Sequence, residues 1–247
     1  MILVDVHAHL DHKLFNGNVD KIIENSRKNG VKAIITNGVN PGTNRIALEL
    51  AEKYDIVKAA LGVYPIDSLN VDIDKEIKFI EKNKDKLVAI GEVGLDYYWD
   101  KDHIDKQKQV FEKFIQLAER IKKPIIVHSR KAEADAVDIL KTSRLKKVVM
   151  HCFSGNFKLV KEIDDNGWYF SIPANIVKSR QFQMITEKTN ISRLLTETDA
   201  PFLSPFPNRI NEPSFVIETI KKIAEIKQMD EEEVANNIFM NYQNVFL

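Results

Sequence analysis

Short apolar runs alternate with longer amphipathic stretches along all 247 residues of the chain. The short runs are rich in Val, Ile and Leu and are bounded by polar or turn-forming residues, a pattern typical of buried strands. They predict eight strands, at residues 2–7, 31–37, 56–62, 87–92, 124–128, 147–151, 168–172 and 193–197. Because no low-complexity or Gly/Ser-rich segment interrupts the alternation, we expect residues 1–247 to form a single domain.

The stretches between the predicted strands have apolar residues at helical spacing. The segment "VDKIIENSRKNG" follows Asn18, ends at Gly30 and places Ile22 and Ile23 on one face. Further helices are predicted to begin at Thr43, Asp72, Ile104, Ala132, Phe157, Arg180 and Ser214. A last helix follows Asp230, the predicted N-cap, and its first turn carries three glutamates that suit the positive end of the helix dipole.

This order of strands and helices predicts an α/β fold. Apolar strands that each precede a helix are typical of a parallel sheet buried on both faces, and eight such strands close into a barrel. A chain of 247 residues is also close to the length of about 250 residues that is usual for such barrels. We therefore predict a single (β/α)8 TIM-type barrel with an extra C-terminal helix. The alternative is a doubly wound open sheet, but no G-x-G-x-x-G follows the first strand.

Composition and charge exclude several other classes of protein. Hydrophobic residues make up 44% of the chain and charged residues 29%, as in globular proteins rather than disordered or fibrous ones. The 36 basic and 36 acidic side chains cancel, so a polyanionic substrate must be held by local contacts. Cys152 is the only cysteine, and neither a signal peptide nor an apolar run of about 20 residues occurs. We expect a cytoplasmic protein without disulfides or a membrane partner.

Side chains able to bind metals cluster where the predicted strands end. In a barrel of this kind the carboxyl ends of the strands form the active site. The candidates are His7, His9, Glu92, His128, His151, Glu197 and Asp199. A lone histidine at a strand end is usually structural, but several of them beside buried carboxylates indicate a divalent cation. Imidazoles together with carboxylates suit Zn, Mn, Fe or Mg without indicating which.

The alternation of strand side chains refines this picture. His7 and His9 lie two residues apart, so both can face the barrel mouth and bind one ion. Asp5 shares their parity and is either a partner of an imidazole or an ordinary buried carboxylate. His12 lies beyond the strand and is not expected to bind metal. Cys152 directly follows His151, so we expect it to point towards the helices as a small buried thiol.

Six segments carry a resemblance to a known family. They are "DVHAHLD" at the start, "AIGEVGLDYY" around Glu92, "VHSR" around His128, "HCFSG" from His151, "TETDAP" ending at Pro201 and "NRINEP" from Asn208. In this order they resemble the TatD-like deoxyribonucleases, which are metal-dependent hydrolases of the wider amidohydrolase superfamily. The resemblance extends over nearly the whole chain.

The resemblance implies a hydrolase with two divalent ions, Zn, Mg or Mn. His7, His9 and Asp199 would hold one ion, and His128 and His151 would hold the other. Glu92 would bridge both ions, and Asp199 would also position or deprotonate the attacking water, so that Asp199 and Glu92 are the expected catalytic residues. The expected reaction is 3′ to 5′ exonucleolytic hydrolysis, with DNA strand ends as the nucleic acid partner.

Four further side chains are candidates for contacts to the substrate. Arg130 lies two residues beyond His128, so it either binds a phosphate or forms a surface ion pair with Glu133. By resemblance, Arg209 and Asn211 contact the phosphate or sugar. Tyr64 stands in "GVYP", where the family usually has a histidine. A phenol can donate a hydrogen bond but carries no positive charge, so Tyr64 either contacts the substrate or packs over the mouth.

The aromatic run "DYYWD" after Glu92 also has two interpretations. Tyr97, Tyr98 and Trp99 either stack an unpaired base or pack within the loop.

Two other functions stay open at this point. The first is an amidohydrolase that cleaves C–N or ester bonds, since a fold alone does not fix the reaction. Many such enzymes bridge their ions with a carboxylated lysine from the fourth strand, whereas this strand ends in Glu92, which favours the nuclease. The second is a barrel that binds without turnover. A degenerate site would be expected to have lost at least one ligand, and all six are present.

Overall fold

The computed structural model describes residues 1–247 and contains one parallel sheet of eight strands in the order of the chain. The strands are β1 (Leu3–Ala8), β2 (Val31–Asn37), β3 (Val57–Leu61), β4 (Leu87–Gly94), β5 (Ile125–His128), β6 (Val148–His151), β7 (Tyr169–Pro173) and β8 (Leu194–Glu197). Each lies within two residues of its predicted bounds. All eight predicted strands are therefore confirmed.

The sheet closes where the first strand meets the segment after the last one. Ala8 and Ala200 form a parallel bridge. The backbone N–H of His9 donates to the carbonyl of Ala200 at 2.8 Å, and the N–H of Asp199 donates to the carbonyl of His7 at 2.8 Å. These bonds close the (β/α)8 barrel that the strand count predicts.

Nine α-helices accompany the strands. They are α1 (Val19–Lys28), α2 (Pro41–Lys53), α3 (Ile73–Lys82), α4 (Ile104–Ile121), α5 (Glu133–Lys141), α6 (Phe157–Asp165), α7 (Arg180–Lys188), α8 (Val216–Lys227) and α9 (Glu231–Phe246). The helix predicted from Thr43 begins two residues earlier, because Asn40 and Thr43 cap each other's backbone N–H groups around Pro41. Asp230 is the N-cap of α9, as predicted.

The extra helix α9 packs on the seam of the barrel. Val234 and Ile238 are buried, and the helix contacts β1, β8 and α8. The side-chain amide of Asn241 donates to the carbonyls of Ile191 and Leu194, which fixes α9 to the start of β8. The apolar core runs without a break from β1 to α9. A single domain over residues 1–247 stays a prediction, with which this continuous core is consistent.

No helix in the structure combines the length and the apolar character needed to cross a membrane.

Candidate metal centre and active site

Three imidazoles and two carboxylates converge at the carboxyl ends of the strands. Nε2 of His7 lies 3.3 Å from Nε2 of His9, 3.2 Å from Oε2 of Glu92 and 3.9 Å from Oδ1 of Asp199. The rings of His7 and His151 stack with their centroids 3.6 Å apart. All five side chains are at least 85% buried. Sequence elements 192 residues apart thus form one compact cluster, from His7 to Asp199.

The ligand atoms fall into two overlapping groups. One group consists of His7, His9 and Asp199, as the resemblance implies for the first ion. The other consists of His7, Glu92 and His151. Glu92 belongs to the second group, and its Oε2 also lies 3.5 Å from Nε2 of His9 in the first group. This placement is what a bridging ligand requires.

His128 lies on the far side of Glu92 and outside these two groups. Its Nδ1 is 2.9 Å from Oε1 of Glu92, and its Nε2 is 2.9 Å from Oδ2 of Asp96. The imidazole is thus held between two carboxylates, with both ring nitrogens engaged. The role of His128 as a ligand stays a prediction.

The second nitrogens of two imidazoles have fixed partners. Nδ1 of His9 lies 3.1 Å from the carbonyl of Asn37, and Nδ1 of His151 lies 2.8 Å from Oε2 of Glu197. Since a carbonyl and a carboxylate only accept, each Nδ1 carries the proton. When the rings are neutral, this leaves the lone pair on Nε2, which is the tautomer that metal binding needs.

The electrostatics of the cluster favour a cation. Burial alone lowers the pKa of His9, but Asp199 and Glu92 raise it to about 9. Burial likewise lowers the pKa of His151, and Glu197 raises it to about 10. Burial raises the pKa of Glu92, yet contacts with His7 and His128 hold it well below its ordinary value. The carboxylates thus stay ionised and attract positive charge, and no Lys or Arg forms an ion pair with them.

The local backbone directs the acidic ligands into the cluster. The pairing of β4 with β5 shifts register between Ile90 and Val93, and Glu92 lies within that irregularity, which turns its side chain. Asp199 follows β8 with a positive φ of 56°, a conformation that a non-glycine residue adopts only when its surroundings require it. Gly94, with φ 144°, allows β4 to approach β5, since a Cβ there would lie 2.0 Å from the carbonyl oxygen of His128.

The structure corrects the expectation for Cys152. Its Sγ lies 3.0 Å from Oε1 of Glu197, and its backbone N–H donates to the same oxygen at 3.1 Å. Strand alternation predicted a side chain among the helices. That prediction is wrong because β6 ends at His151 and Cys152 has a positive φ of 43°, which breaks the alternation.

Asp5 is buried, but it does not contact an imidazole. Its carboxylate accepts from the backbone N–H of His7 at 3.2 Å and from the backbone N–H of Thr198 at 2.9 Å. The Thr198 hydroxyl donates to the other oxygen. Burial, only partly offset by these bonds, raises the pKa of Asp5 to about 8. Asp5 therefore joins the backbones of the first strand and the segment that carries Asp199.

Asp96 is the site residue that the sequence did not reveal. Its side chain is fully buried, and it accepts hydrogen bonds from the Tyr64 hydroxyl and from the backbone N–H groups of Tyr98 and Trp99. Burial raises the pKa of Tyr64, and so does the bond to Asp96, so the phenol stays protonated as a donor. Tyr64 also lies 3.4 Å from Nε2 of His128. Tyr64 is therefore held by hydrogen bonds inside the site, and its contact to the substrate stays a prediction.

The predicted substrate contacts differ in exposure. Arg130 is exposed and its guanidinium lies 3.8 Å from the ring centroid of Tyr98, not against Glu133, which binds Ser154 and the backbone of Lys131. Arg209 is exposed on the loop after β8 and lies 4.3 Å from the ring centroid of Phe215.

Asn211, by contrast, is fully buried. Its amide nitrogen donates to the carbonyls of Thr198 and Phe202 at 2.7 and 2.6 Å. This geometry gives Asn211 a role in holding the loop and does not support a direct contact to substrate.

Comparisons with known proteins show the family of the chain. The family model described as TatD related DNase matches residues 4–247. The chain is 36% identical to YabD of Bacillus subtilis, named an uncharacterized metal-dependent hydrolase, over 99% of both chains. It is 33% identical to the human deoxyribonuclease TATDN3, covering 99% of this chain and 94% of that protein.

A solved structure gives the same result for the fold. The crystal structure of YJJV, a TatD homologue from Escherichia coli, superposes with a TM-score of 0.92 at 25% identity and covers 99% of this chain and 97% of that one. The family model and the relatives extend over the elements that carry all six candidate ligands. The chain therefore belongs to the TatD-related DNase family.

Proposed function

We propose that this protein is a divalent-metal-dependent nuclease that hydrolyses phosphodiesters at the 3′ ends of DNA strands, acting in the cytoplasm. The observation that carries the proposal is the buried cluster of His7, His9, Glu92, His151 and Asp199, with Arg130 exposed on the next loop. The relatives named deoxyribonucleases support the substrate class. The single cysteine, with no disulfide, supports the location.

The donor set fits divalent ions. Nε2 of His7 and Nε2 of His9 lie 3.3 Å apart, so two imidazole nitrogens converge on one point. Three imidazoles and two carboxylates, with no lysine or arginine paired to them, form a mixed N/O donor set. We propose that His7, His9 and Asp199 hold one ion, and that Glu92, His151 and His128 hold a second. Bound there, Zn, Mg or Mn would act as a Lewis acid on the phosphate.

The residues of the chain have distinct roles in this proposal. Asp199 is the most accessible carboxylate of the cluster, at 15% exposure against 4% for Glu92. It is therefore placed to orient the attacking water and to accept its proton. Glu92 keeps the two groups of imidazoles at a fixed separation. Arg130 and Arg209 bind the phosphates of the strand, and Tyr64 orients His128 through Asp96.

The test uses protein stripped of metal and then supplied separately with Mg, Mn or Zn. Single-stranded DNA labelled at the 3′ end should release labelled mononucleotide first, whereas the same strand labelled at the 5′ end should shorten stepwise. The Glu92→Ala variant is the control for contaminating nucleases. RNA of the same sequence and a small chromogenic phosphodiester, assayed in parallel, define the substrate class.

Two outcomes would replace the proposal. Hydrolysis of amides or lactones without hydrolysis of any phosphodiester would identify an amidohydrolase. Binding of DNA without hydrolysis in the presence of Mg, Mn or Zn would identify a DNA-binding protein without catalytic activity.

A further inference from the structure

The loop after β4 exposes two adjacent aromatic rings at the mouth of the barrel. Tyr98 is 49% and Trp99 66% exposed, while Trp168, the other tryptophan, is only 2% exposed. The two rings meet edge to face, with centroids 4.9 Å apart and planes at 87°. Leaving this much aromatic surface in water is unfavourable, so a pair of such rings beside a catalytic cluster indicates a surface that a ligand covers.

A cation without an acidic partner accompanies these rings. The guanidinium carbon of Arg130 lies 3.8 Å from the ring centroid of Tyr98 and 5.7 Å from that of Trp99. Arg130 forms no ion pair, and the carboxylate of the nearby Glu133 accepts from the Ser154 hydroxyl instead. A guanidinium held flat on an aromatic ring still has N–H groups free for a phosphate. The aromatic rings therefore suit the base of a nucleotide, and the guanidinium suits its phosphate.

The position of the rings is fixed relative to the metal centre. One oxygen of Asp96 accepts from the backbone N–H groups of Tyr98 and Trp99 at 2.9 and 3.0 Å. The other lies 2.9 Å from Nε2 of His128. The backbone N–H of Tyr97 donates to the carbonyl of Arg130 at 3.0 Å. The loops after β4 and β5 are therefore joined, and a single carboxylate separates the rings from a candidate ligand.

We propose that Tyr98, Trp99 and Arg130 form a stacking shelf that binds an unpaired nucleobase of the strand while Arg130 binds the adjoining phosphate. The shelf selects single-stranded ends, since a base inside a duplex has no free face to offer. It tolerates all four bases, because each has a π-face. Cleavage of the bound strand rests on the proposed nuclease function, whereas binding of the strand to the shelf does not.

Tryptophan fluorescence tests the shelf directly. Because Trp168 is buried and Trp99 is exposed, a base that stacks on the shelf should quench Trp99 selectively. The probe is single-stranded DNA with phosphorothioate linkages at its 3′ end, which resist hydrolysis, titrated into the full-length, metal-loaded protein. Quenching that saturates with the strand, and that is lost in Trp99→Phe while affinity is kept, is the expected result. Saturable binding without quenching would overturn the proposal.

A double-mutant cycle that combines a change in the protein with removal of a base from the DNA identifies which base stacks on the shelf. Trp99→Ala should weaken binding about tenfold, as expected for the loss of one base–aromatic stack. Four strands, each lacking one base among the last four nucleotides, are compared. Only one of them should bind the wild type more weakly than the intact strand does. The strand that lacks the base at that position should bind the Trp99→Ala variant as tightly as the intact strand binds this variant. Met240→Ala, which removes another exposed apolar side chain on α9, should bind like the wild type.

The outcomes separate the shelf from the nuclease proposal. Equal affinity of Trp99→Ala and wild type, or additive effects of Trp99→Ala and base removal at all four positions, would overturn the shelf even if the protein cleaves DNA. Coupling at one position would support the shelf even if no phosphodiester is cleaved, and would then leave the nuclease proposal without support. Equal affinity for blunt duplex and single strand would also contradict the selection of unpaired ends.

Discussion

Oε2 of Glu197 lies 2.8 Å from Nδ1 of His151, and both side chains are buried. The other oxygen of Glu197 accepts from the backbone N–H and the Sγ of Cys152. Glu197 therefore fixes both the tautomer and the orientation of the imidazole, and it does so without reaching the cluster of ligands itself.

Replacing Glu197 with glutamine should weaken metal binding. An amide oriented by Cys152 no longer offers a charged acceptor to His151, and loss of such a partner costs about 10–100-fold in metal affinity. Titration of stripped protein with Zn or Mn, followed by calorimetry, measures the change. Glu225→Gln, at an exposed ion pair with Lys222, is the control, and equal affinities of the two variants would contradict the role of Glu197.

Replacing Glu92 with alanine should lower the bound metal from the two ions proposed above towards one or none. Glu92 faces His7 at 3.2 Å and His128 at 2.9 Å, so its loss removes the group between the two sets of imidazoles. Metal content by mass spectrometry of the purified protein gives the stoichiometry, and circular dichroism establishes that the barrel is intact. An unchanged metal content in the folded variant would remove Glu92 from the bridging position.

Replacing Asp199 with asparagine should lower kcat far more than it raises KM. The amide keeps the shape of the side chain but cannot accept a proton from water, so the loss falls on the transition state rather than on the bound substrate. Steady-state kinetics on single-stranded DNA, with metal content measured in parallel, separates catalysis from metal loss. A folded, metal-loaded variant with wild-type kcat would show that another group accepts the proton.

Replacing Asn211 with alanine should destabilise the protein instead of weakening substrate binding. The change removes the amide donor from the buried carbonyl of Thr198 and from the carbonyl of Phe202, at a cost of about 1–3 kcal/mol. Urea denaturation measures the free energy of unfolding. Asn237→Ala removes one exposed amide contact on α9 and should have little effect. A change confined to KM, with stability unchanged, would restore Asn211 as a substrate contact.

Replacing Gly94 with alanine should destabilise the barrel more than the same change at Gly17. Both glycines have positive φ, but a Cβ at Gly94 would lie 2.0 Å from the His128 carbonyl oxygen, and one at Gly17 meets nothing within 4 Å. We expect a loss of about 1 kcal/mol at Gly17 and about 3 kcal/mol or more at Gly94, measured by thermal denaturation. Similar losses at both positions would show that backbone conformation alone sets the cost.

The sequence predicted the fold, and it indicated which side chains stand at the strand ends, because both depend on local patterns. Each strand is a short apolar run, and residues such as His151 stand at its end, where a parallel barrel brings all strand ends together. The relation to the TatD-like family, inferred from six short segments, is confirmed over residues 4–247.

The features that the sequence missed depend on contacts between distant segments or on unusual backbone. Asp96 acts on Tyr64 and His128, each 32 residues away, and no periodicity relates these positions. Cys152 leaves the strand pattern through its positive φ. Asn211 stands in a polar segment whose burial follows only from the path of the loop over Thr198 and Phe202.

The seam between β1 and the segment after β8 can form only late during synthesis of the chain on the ribosome. His7 and His9 emerge from the ribosome first, but Asp199 bonds to the backbone of His7 only after nearly the whole barrel has been made. An ion held by these residues would join the two ends of the barrel, so that losing it should loosen β1 before the other strands. A chain interrupted before Asp199 would lack both this junction and one carboxylate of the cluster.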